Sequence, residues 1–175
     1  MFSHGKTTMR PVEERDLETL RLMRNDPSTW TMLRDIEHVT AEEQLDWWAN
    51  LQGDEHRAYY VVEDGQGNFV GMIRTTDIDR LNRSVCVGAD VAPALRGQGW
   101  GTAIYDMLLK WCFAFQNCHR VWLCVMDYNT AGRKLYEKMG FKVEGCHREA
   151  VFRDGQYVNE IVMSILEDEY RVIGE

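Results

Sequence analysis

The sequence has few of the features that mark membrane-spanning, secreted or metal-bound proteins. It has only three prolines, and none of its apolar runs approaches the ~20 residues of a membrane span. Residues 1–10 lack the apolar core of a signal peptide. Its five cysteines are odd in number and form no Cys-x-x-Cys pair, which argues against a disulfide framework or a zinc ribbon. These absences predict a cytoplasmic protein with no membrane segment and no metal site.

The sequence also has fewer basic residues than acidic ones. Twenty Lys and Arg residues against 28 Asp and Glu residues give a net charge of −8, which argues against a nucleic-acid surface. An acidic surface of this kind favours a cationic partner. The 175-residue length and 45% hydrophobic content suit one core. The sequence therefore predicts a single domain over residues 1–175, with residues 1–6 as a flexible N-terminus.

Hydrophobic periodicity predicts an α/β fold. Helices are expected at residues 13–25, 40–51 and 130–139, and in the segment that follows residue 101. The stretch at residues 28–39 is expected to be irregular. Strands are expected at residues 7–10, 57–63, 68–75, 85–91, 120–126, 141–152 and 157–165. This order predicts a mixed, mostly antiparallel sheet with one strand-helix-strand crossover.

Residues 96–101 read Arg-Gly-Gln-Gly-Trp-Gly and lie between an apolar strand and an amphipathic helix. The first N–H groups of a helix have no partner within it and bind phosphate well, and glycines let a phosphate approach closely. The segment lacks the lysine of a P-loop, and Thr102 stands where a dinucleotide motif needs its third glycine. Spacing alone leaves two readings open: a phosphate-binding turn, or a loop that merely reverses the chain.

A second motif, at residues 129–141, narrows the choice. It is similar to the Asn-x-x-Ala-x-x-Leu-Tyr-x-x-x-Gly-Phe segment of the GNAT superfamily of acetyltransferases, and residues 96–101 resemble that family's Arg/Gln-x-x-Gly-x-Gly/Ala loop. The resemblance implies a GNAT fold: a twisted sheet of about seven strands flanked by helices, with a splayed strand pair after the phosphate-binding turn. It also implies acetyl-CoA as cosubstrate and allows a homodimer. The C-terminal half resembles the branch that holds spermidine, ribosomal-protein N-terminal and amino-sugar-nucleotide acetyltransferases.

The same resemblance assigns residues to the cofactor. The strand before the turn would bind the pantetheine arm, the turn would bind the pyrophosphate, and two basic residues of the later helix would bind the 3′-phosphate or remain solvated. The cofactor-binding residues expected on this basis are Ala89, Asp90, Val91, Arg96, Gly97, Gln98, Gly99, Trp100, Gly101, Thr102, Asn129, Arg133 and Lys134.

Catalytic roles follow less directly. Tyr136 matches the family tyrosine that protonates the departing CoA thiolate, a role open to a phenol within reach of the sulfur. Many relatives carry a glutamate base at the position of Cys86, so the base expected here is Asp90, on the same strand face. Cys86 with His147 could instead form a nucleophilic thiol. Further candidates for the base are Glu149 and Glu160.

Acceptor selectivity is expected in residues 23–48, where aromatic and charged side chains cluster. Acidic groups there suit a polyamine or an aminoglycoside, and the arginines suit the phosphates of an amino-sugar nucleotide. We therefore predict that a small primary amine attacks acetyl-CoA directly. An N-terminal protein acetyltransferase and a non-catalytic CoA-binding sensor are the alternatives. The substrate-binding residues expected are Arg24, Trp30, Arg34 and Glu37.

Overall fold

The structure, a computed structural model, describes residues 1–173. A single sheet is built from eight strands: β1 (Phe2–His4), β2 (Thr7–Pro11), β3 (Ala58–Asp64), β4 (Phe69–Asp79), β5 (Ser84–Val91), β6 (Arg120–Met126), β7 (Lys142–Arg153) and β8 (Gln156–Leu166). The helices are α1 (Leu17–Asn25), α2 (Pro27–Trp30), α3 (Ala41–Leu51), α4 (Trp100–Lys110), α5 (Thr130–Lys138) and α6 (Glu167–Ile173). Every helix described is too short or too polar to cross a membrane.

The strands lie in the order β1-β2-β3-β4-β5-β6-β8-β7, and neighbours are antiparallel except β5 and β6. That parallel pair is joined through α4, as a crossover requires. β5 and β6 pair only from Ser84 opposite Arg120 to Cys86 opposite Trp122, and then diverge. The predicted mixed sheet and splayed strand pair are therefore confirmed.

The sheet has one strand more than predicted, because the N-terminus is ordered. Phe2–His4 pairs with β2, and the Phe2 ring packs edge-on against Phe115 with centroids 5.0 Å apart. Gly5, with φ of 58°, provides the tight turn between the two strands. The expectation of a flexible segment at residues 1–6 is wrong, since pairing and an aromatic contact hold it.

Two further boundaries differ from the prediction. The helix expected at residues 13–25 begins as a 3₁₀ turn at Glu14–Asp16, where the Asp16 side chain accepts a hydrogen bond from the backbone N–H of Glu13. The stretch expected to be irregular includes α2, which begins because the Asp26 side chain caps it and Pro27 suits its first position.

The sheet is covered on both faces. Val62 and Ile73 face α4 in the larger core, and the adjacent Val61 faces α1 on the opposite side, as strand alternation requires. Leu135 and Tyr136 of α5 pack on the α4 side. Helices α4 and α5 therefore lie on one face of the sheet, and α1 and α3 lie on the other.

Candidate active site

The turn before α4 has the geometry that phosphate binding requires. Gly97 and Gly99 have φ of 74° and 80°, in the left-handed region, and Gly99 is the N-cap of α4. The first N–H groups of the 11-residue α4 have no partner within the helix. Gly101 serves a different purpose, because a Cβ there would lie 3.1 Å from Leu135 Cδ2. It lets α4 and α5 pack closely.

The polar side chains of this turn, Arg96 and Gln98, form hydrogen bonds with other parts of the protein. Arg96 Nη1 donates to the Ser28 carbonyl (2.9 Å) and Nη2 to Thr29 Oγ1 (2.6 Å), while Nε donates to the Val91 carbonyl (3.1 Å). Gln98 Nε2 donates to the Ala94 carbonyl (3.0 Å), in the 3₁₀ turn Pro93–Leu95. Arg96, expected as a phosphate ligand, instead ties the turn to α2. A phosphate here would be held mainly by backbone N–H groups.

The second motif builds the N-terminus of α5. Asn129 Oδ1 caps this helix by accepting from the Gly132 N–H (2.9 Å), and a Cβ at Gly132 would lie 2.9 Å from Asn129 Nδ2. Arg133 has a buried Nε with no hydrogen-bond partner among the described residues, and Lys134 is exposed. Both basic side chains are thus free to meet an anion.

Tyr136 is partly buried and packs against the larger core. Its ring contacts Tyr105 and Phe141, with centroids 5.1 Å and 6.0 Å away. Burial raises the pKa of Tyr136, while the Tyr105 hydroxyl and the charge of Arg74 act in the opposite direction. The net effect is a rise, so the phenol keeps its proton at neutral pH, as a general acid must.

Asp90, the predicted base, is held by a partner that the sequence did not reveal. Arg74 Nη1 on β4 donates to Asp90 Oδ2 at 2.5 Å, and the Asp90 side chain is only 15% exposed. A Cβ on Gly88 would lie 2.6 Å from Arg74 Nε. Gly88 therefore makes room for this guanidinium. The charges of Arg74 and Asp90 also act on the pKa of Tyr136, in opposite directions.

Comparison with known proteins identifies the family. The model of the acetyltransferase (GNAT) family matches residues 18–141. The chain belongs to the GNAT family. It is therefore an acyltransferase, which confirms the predicted family and enzyme class.

Individual GNAT relatives are similar along almost their whole length. Spermidine N-acetyltransferase of Vibrio cholerae, solved in complex with CoA and spermine, superposes with a TM-score of 0.91 at 26% identity over 95% of this chain and 98% of that one. A dodecameric structure of the enzyme from the same organism gives 0.85 at 27% identity over 97% and 99%. A putative ribosomal N-acetyltransferase of Bacillus subtilis is 26% identical over 93% of this chain and 92% of its own length.

On the α1 and α3 side, this GNAT domain contains a cavity of about 530 Å³, a volume typical of small-molecule sites. Of the predicted acceptor residues, Arg24, Arg34 and Glu37 line it, whereas Trp30 lies outside. The aromatic wall is formed instead by Trp47 and Tyr59, whose rings meet edge-on at 4.9 Å. Its lining comprises Leu20, Met23, Arg24, Thr29, Leu33, Arg34, Asp35, Glu37, His38, Val39, Glu43, Gln44, Trp47, Tyr59, Met72, Arg74 and Asp90.

The last strands bring a second buried carboxylate near the cavity. Glu160 is 5% exposed and accepts from Arg34 Nη1 (3.2 Å), and its Oε2 lies 3.3 Å from His147 Nδ1. Cys124 completes a group whose potential ligand atoms lie within 4.8 Å of one another. Glu149 lies apart, exposed at a bulge of β7 with φ of 51°.

The cysteine chemistry does not favour a thiolate nucleophile. All five cysteines are free thiols. Burial raises the pKa of Cys86, and it raises that of Cys124 to about 12. His147 is positioned against Glu160. The alternative of a Cys86–His147 pair therefore has no support from this geometry.

Proposed function

We propose that the chain transfers the acetyl group of acetyl-CoA to a primary amine of a small molecule, by direct attack in a ternary complex. The observation that carries this proposal is that β5 parts from β6 after Cys86, contributes Asp90 to the lining of the 530 Å³ cavity, and then leads into the glycine turn. Asp90 lines that cavity, and Tyr136 packs against the core on the α4 side of the sheet. Candidate acceptors are a polyamine, as the name of the Vibrio cholerae relative suggests, an aminoglycoside and an amino-sugar nucleotide.

The donor half uses the turn and the splayed strands. Backbone N–H groups of residues 97–102 hold the pyrophosphate, and the dipole of α4 adds partial positive charge there. The pantetheine arm lies along residues 89–91, whose β6 side has no strand partner. Asn129 contacts the arm from the opposite side, and Arg133 and Lys134 are placed for the 3′-phosphate.

The chemistry needs two proton transfers. The free amine attacks the thioester carbonyl carbon, the C–S bond breaks, and the Tyr136 hydroxyl gives its proton to the leaving thiolate. The proton lost by the attacking nitrogen passes to a carboxylate, directly or through water. Asp90 is our first candidate for that base, because it lies on the strand next to the thioester; Glu160 is the second.

A panel of amines, monitored by free thiol release from acetyl-CoA, tests the proposal. We expect turnover with at least one of the polyamine, aminoglycoside and amino-sugar-nucleotide groups, and no turnover above background with a ribosomal-protein N-terminal peptide. Turnover with the peptide alone favours an N-terminal protein acetyltransferase. Tight CoA binding by calorimetry without turnover on any amine favours a non-catalytic sensor and overturns the proposal.

We also propose a cellular location and an oligomeric state for the enzyme. Five free thiols and the need for acetyl-CoA fit the cytoplasm. The relative with a dodecameric structure supports self-association, and the predicted homodimer is the smallest such unit. Light scattering of the purified protein tests this, and a monomer at micromolar concentration contradicts it.

A further inference from the structure

Arg24, in the last turn of α1, lines the acceptor cavity without a charged partner. Its Nη2 donates to the backbone carbonyl of Asp35 at 2.7 Å. Its Nη1 has no solvent-accessible surface, and among residues 1–173 it finds no hydrogen-bond partner. Buried donors of this kind are normally satisfied, so an unpartnered donor on a cavity-lining side chain indicates a missing partner.

The other two arginines that line the cavity are neutralised. Arg74 pairs with Asp90, and Arg34 pairs with Glu160. Within the described part of the chain, Arg24 has no carboxylate within 4.0 Å. It is therefore the unpaired guanidinium of this cavity.

A second buried guanidinium increases the positive potential around Arg24. Arg153 on β7 is 7% exposed and donates to the carbonyls of Leu33 and Arg34, the latter at 2.8 Å. Its Nε, too, is buried without a partner in the described structure. Burial lowers the pKa of Arg24, Arg74 and Arg153 lower it further, and Asp35 and Asp90 oppose the shift. The surroundings therefore disfavour this cation unless an anion arrives.

Asp90 is largely buried in the cavity lining but is paired with Arg74, whereas the other acidic groups lie at the exposed rim. Asp35 and Glu37 are exposed, as is Glu43, whose carboxylate is engaged in capping α3. The interior of the cavity thus holds one unpaired guanidinium, and its entrance is acidic. An acceptor with only positive charges would place like charge beside Arg24, whereas one that also carries an anion would satisfy it.

Building on the proposed function, we infer that the acceptor amine also carries an oxyanion, a carboxylate or a phosphate, which pairs with Arg24 inside the cavity. A guanidinium suits this role because its planar donors match the two oxygens of either group. The amine of the same molecule then reaches the β5–β6 gap near Asp90. The substrate class is therefore an amino acid or an amino-sugar phosphate.

Matched pairs of acceptors test the inference: amino acids against their amides, amino sugars against their phosphates, with spermidine as the purely cationic arm. We expect kcat/KM to be about 10–100-fold higher for the charged member, as a charge-assisted hydrogen bond implies. Whether carboxylates or phosphates show the larger ratio identifies the oxyanion. Equal rates within pairs, or a preference for spermidine, overturn the inference.

Variants of Arg24 distinguish the loss of the arginine–oxyanion contact from a general loss of activity. Arg24→Gln should abolish the preference for the charged member of each pair, and Arg24→Lys should retain part of it. Arg15→Gln, at an exposed arginine of the preceding 3₁₀ turn, is the matched control and should keep the wild-type preference. An equal loss on both members of each pair contradicts the assignment.

A binding measurement keeps the inference testable if no amine is acetylated. CoA-loaded protein is titrated calorimetrically with hydroxy acids, sugar phosphates and their neutral counterparts, none of which can accept an acetyl group on nitrogen. If the wild-type protein binds the anions and Arg24→Gln does not, the oxyanion site is supported even though the proposed reaction has failed. Absence of such binding overturns the site itself.

Discussion

Asp90 Oδ2 and Arg74 Nη1 form a 2.5 Å ion pair on the part of β5 that lies beyond its pairing with β6. The pair joins two antiparallel strands, β4 and β5, and its guanidinium occupies the space above Gly88. A paired carboxylate can accept a proton only if its partner tolerates the loss of charge. The ion pair fixes the position of the Asp90 carboxylate in the cavity lining.

Removing one partner should cost stability. Arg74→Met leaves the Asp90 carboxylate largely buried and unpaired, so we expect the free energy of unfolding in urea to fall by about 2–4 kcal/mol. The double variant Arg74→Met with Asp90→Asn should recover part of that loss, because no isolated charge remains. If the double variant is less stable than the sum of the two single changes predicts, the pair is not the source of the effect.

Gly88 should be intolerant of a side chain. Gly88→Ala puts a Cβ 2.6 Å from Arg74 Nε, and we expect the displaced guanidinium to cost about 1–3 kcal/mol of stability and to lower kcat. Gly65→Ala is the control, since no atom lies within 4 Å of the added Cβ there. Thermal unfolding and thiol release measure the two effects. Similar behaviour of both variants would remove the steric explanation.

Tyr136 is expected to act on turnover and not on cofactor affinity. Tyr136→Phe should lower kcat by about 10²–10⁴-fold, the range for a general acid, while the Kd for CoA stays within a few-fold. Tyr157→Phe, at a tyrosine that is 65% exposed, should behave as wild type. Since burial raises the pKa of Tyr136, no loss of rate from its ionisation is expected below its ordinary value of about 10.0. Unchanged kcat in Tyr136→Phe removes the acid assignment.

Glycine at residue 99 should be needed for cofactor binding. Gly99→Ala forces a residue with a side chain into φ of 80°, at a cost of roughly 1–2 kcal/mol, and we expect weaker CoA binding by calorimetry. Gly145→Ala, at a glycine outside the left-handed region with open space around it, should bind CoA normally. Equal CoA affinity in the two variants contradicts the phosphate role of the turn.

Acid should weaken the fold through Asp16. Burial alone would raise its pKa, but hydrogen bonds from Arg10 and the Glu13 backbone N–H outweigh burial and lower it. A lowered pKa gives stability that is present above the unfolded value near ~3.9 and is lost as pH falls through the folded value. Asp16→Asn should therefore be less stable than wild type at pH 7, and the difference in urea midpoint should shrink below about pH 4. A constant difference down to pH 2 would contradict this.

Local patterns yielded candidate residues for the donor half more directly than for the acceptor half. The turn and α5 motifs are contiguous, so Gly99, Asn129 and Tyr136 could be assigned from neighbouring residues. Arg74 lies sixteen positions before Asp90, and only strand pairing brings them together. Arg96 looked like a phosphate ligand because nothing local showed that Ser28 and Thr29 would bind it.

The acceptor cavity combines residues from α1, the loop after α2, α3 and three central strands. Arg24 and Arg34, which the sequence suggested as acceptor residues, both line this cavity. The sequence does not reveal that only Arg34 of the two pairs with a carboxylate, that of Glu160, which lies 126 positions away. Trp30 was predicted to bind the acceptor because it is aromatic, whereas Tyr59 was assigned only to a strand. Tertiary contacts of this range leave no periodic signal.

The most direct test of the account is mass spectrometry of the acceptor panel after incubation with acetyl-CoA and the enzyme, with free thiol counted in the same tubes. We predict one N-acetyl group on the amine for each CoA thiol released, and a matching loss of both signals in Tyr136→Phe. Thiol release without acetylated amine, or acetylated amine that persists undiminished in Tyr136→Phe, would contradict the account.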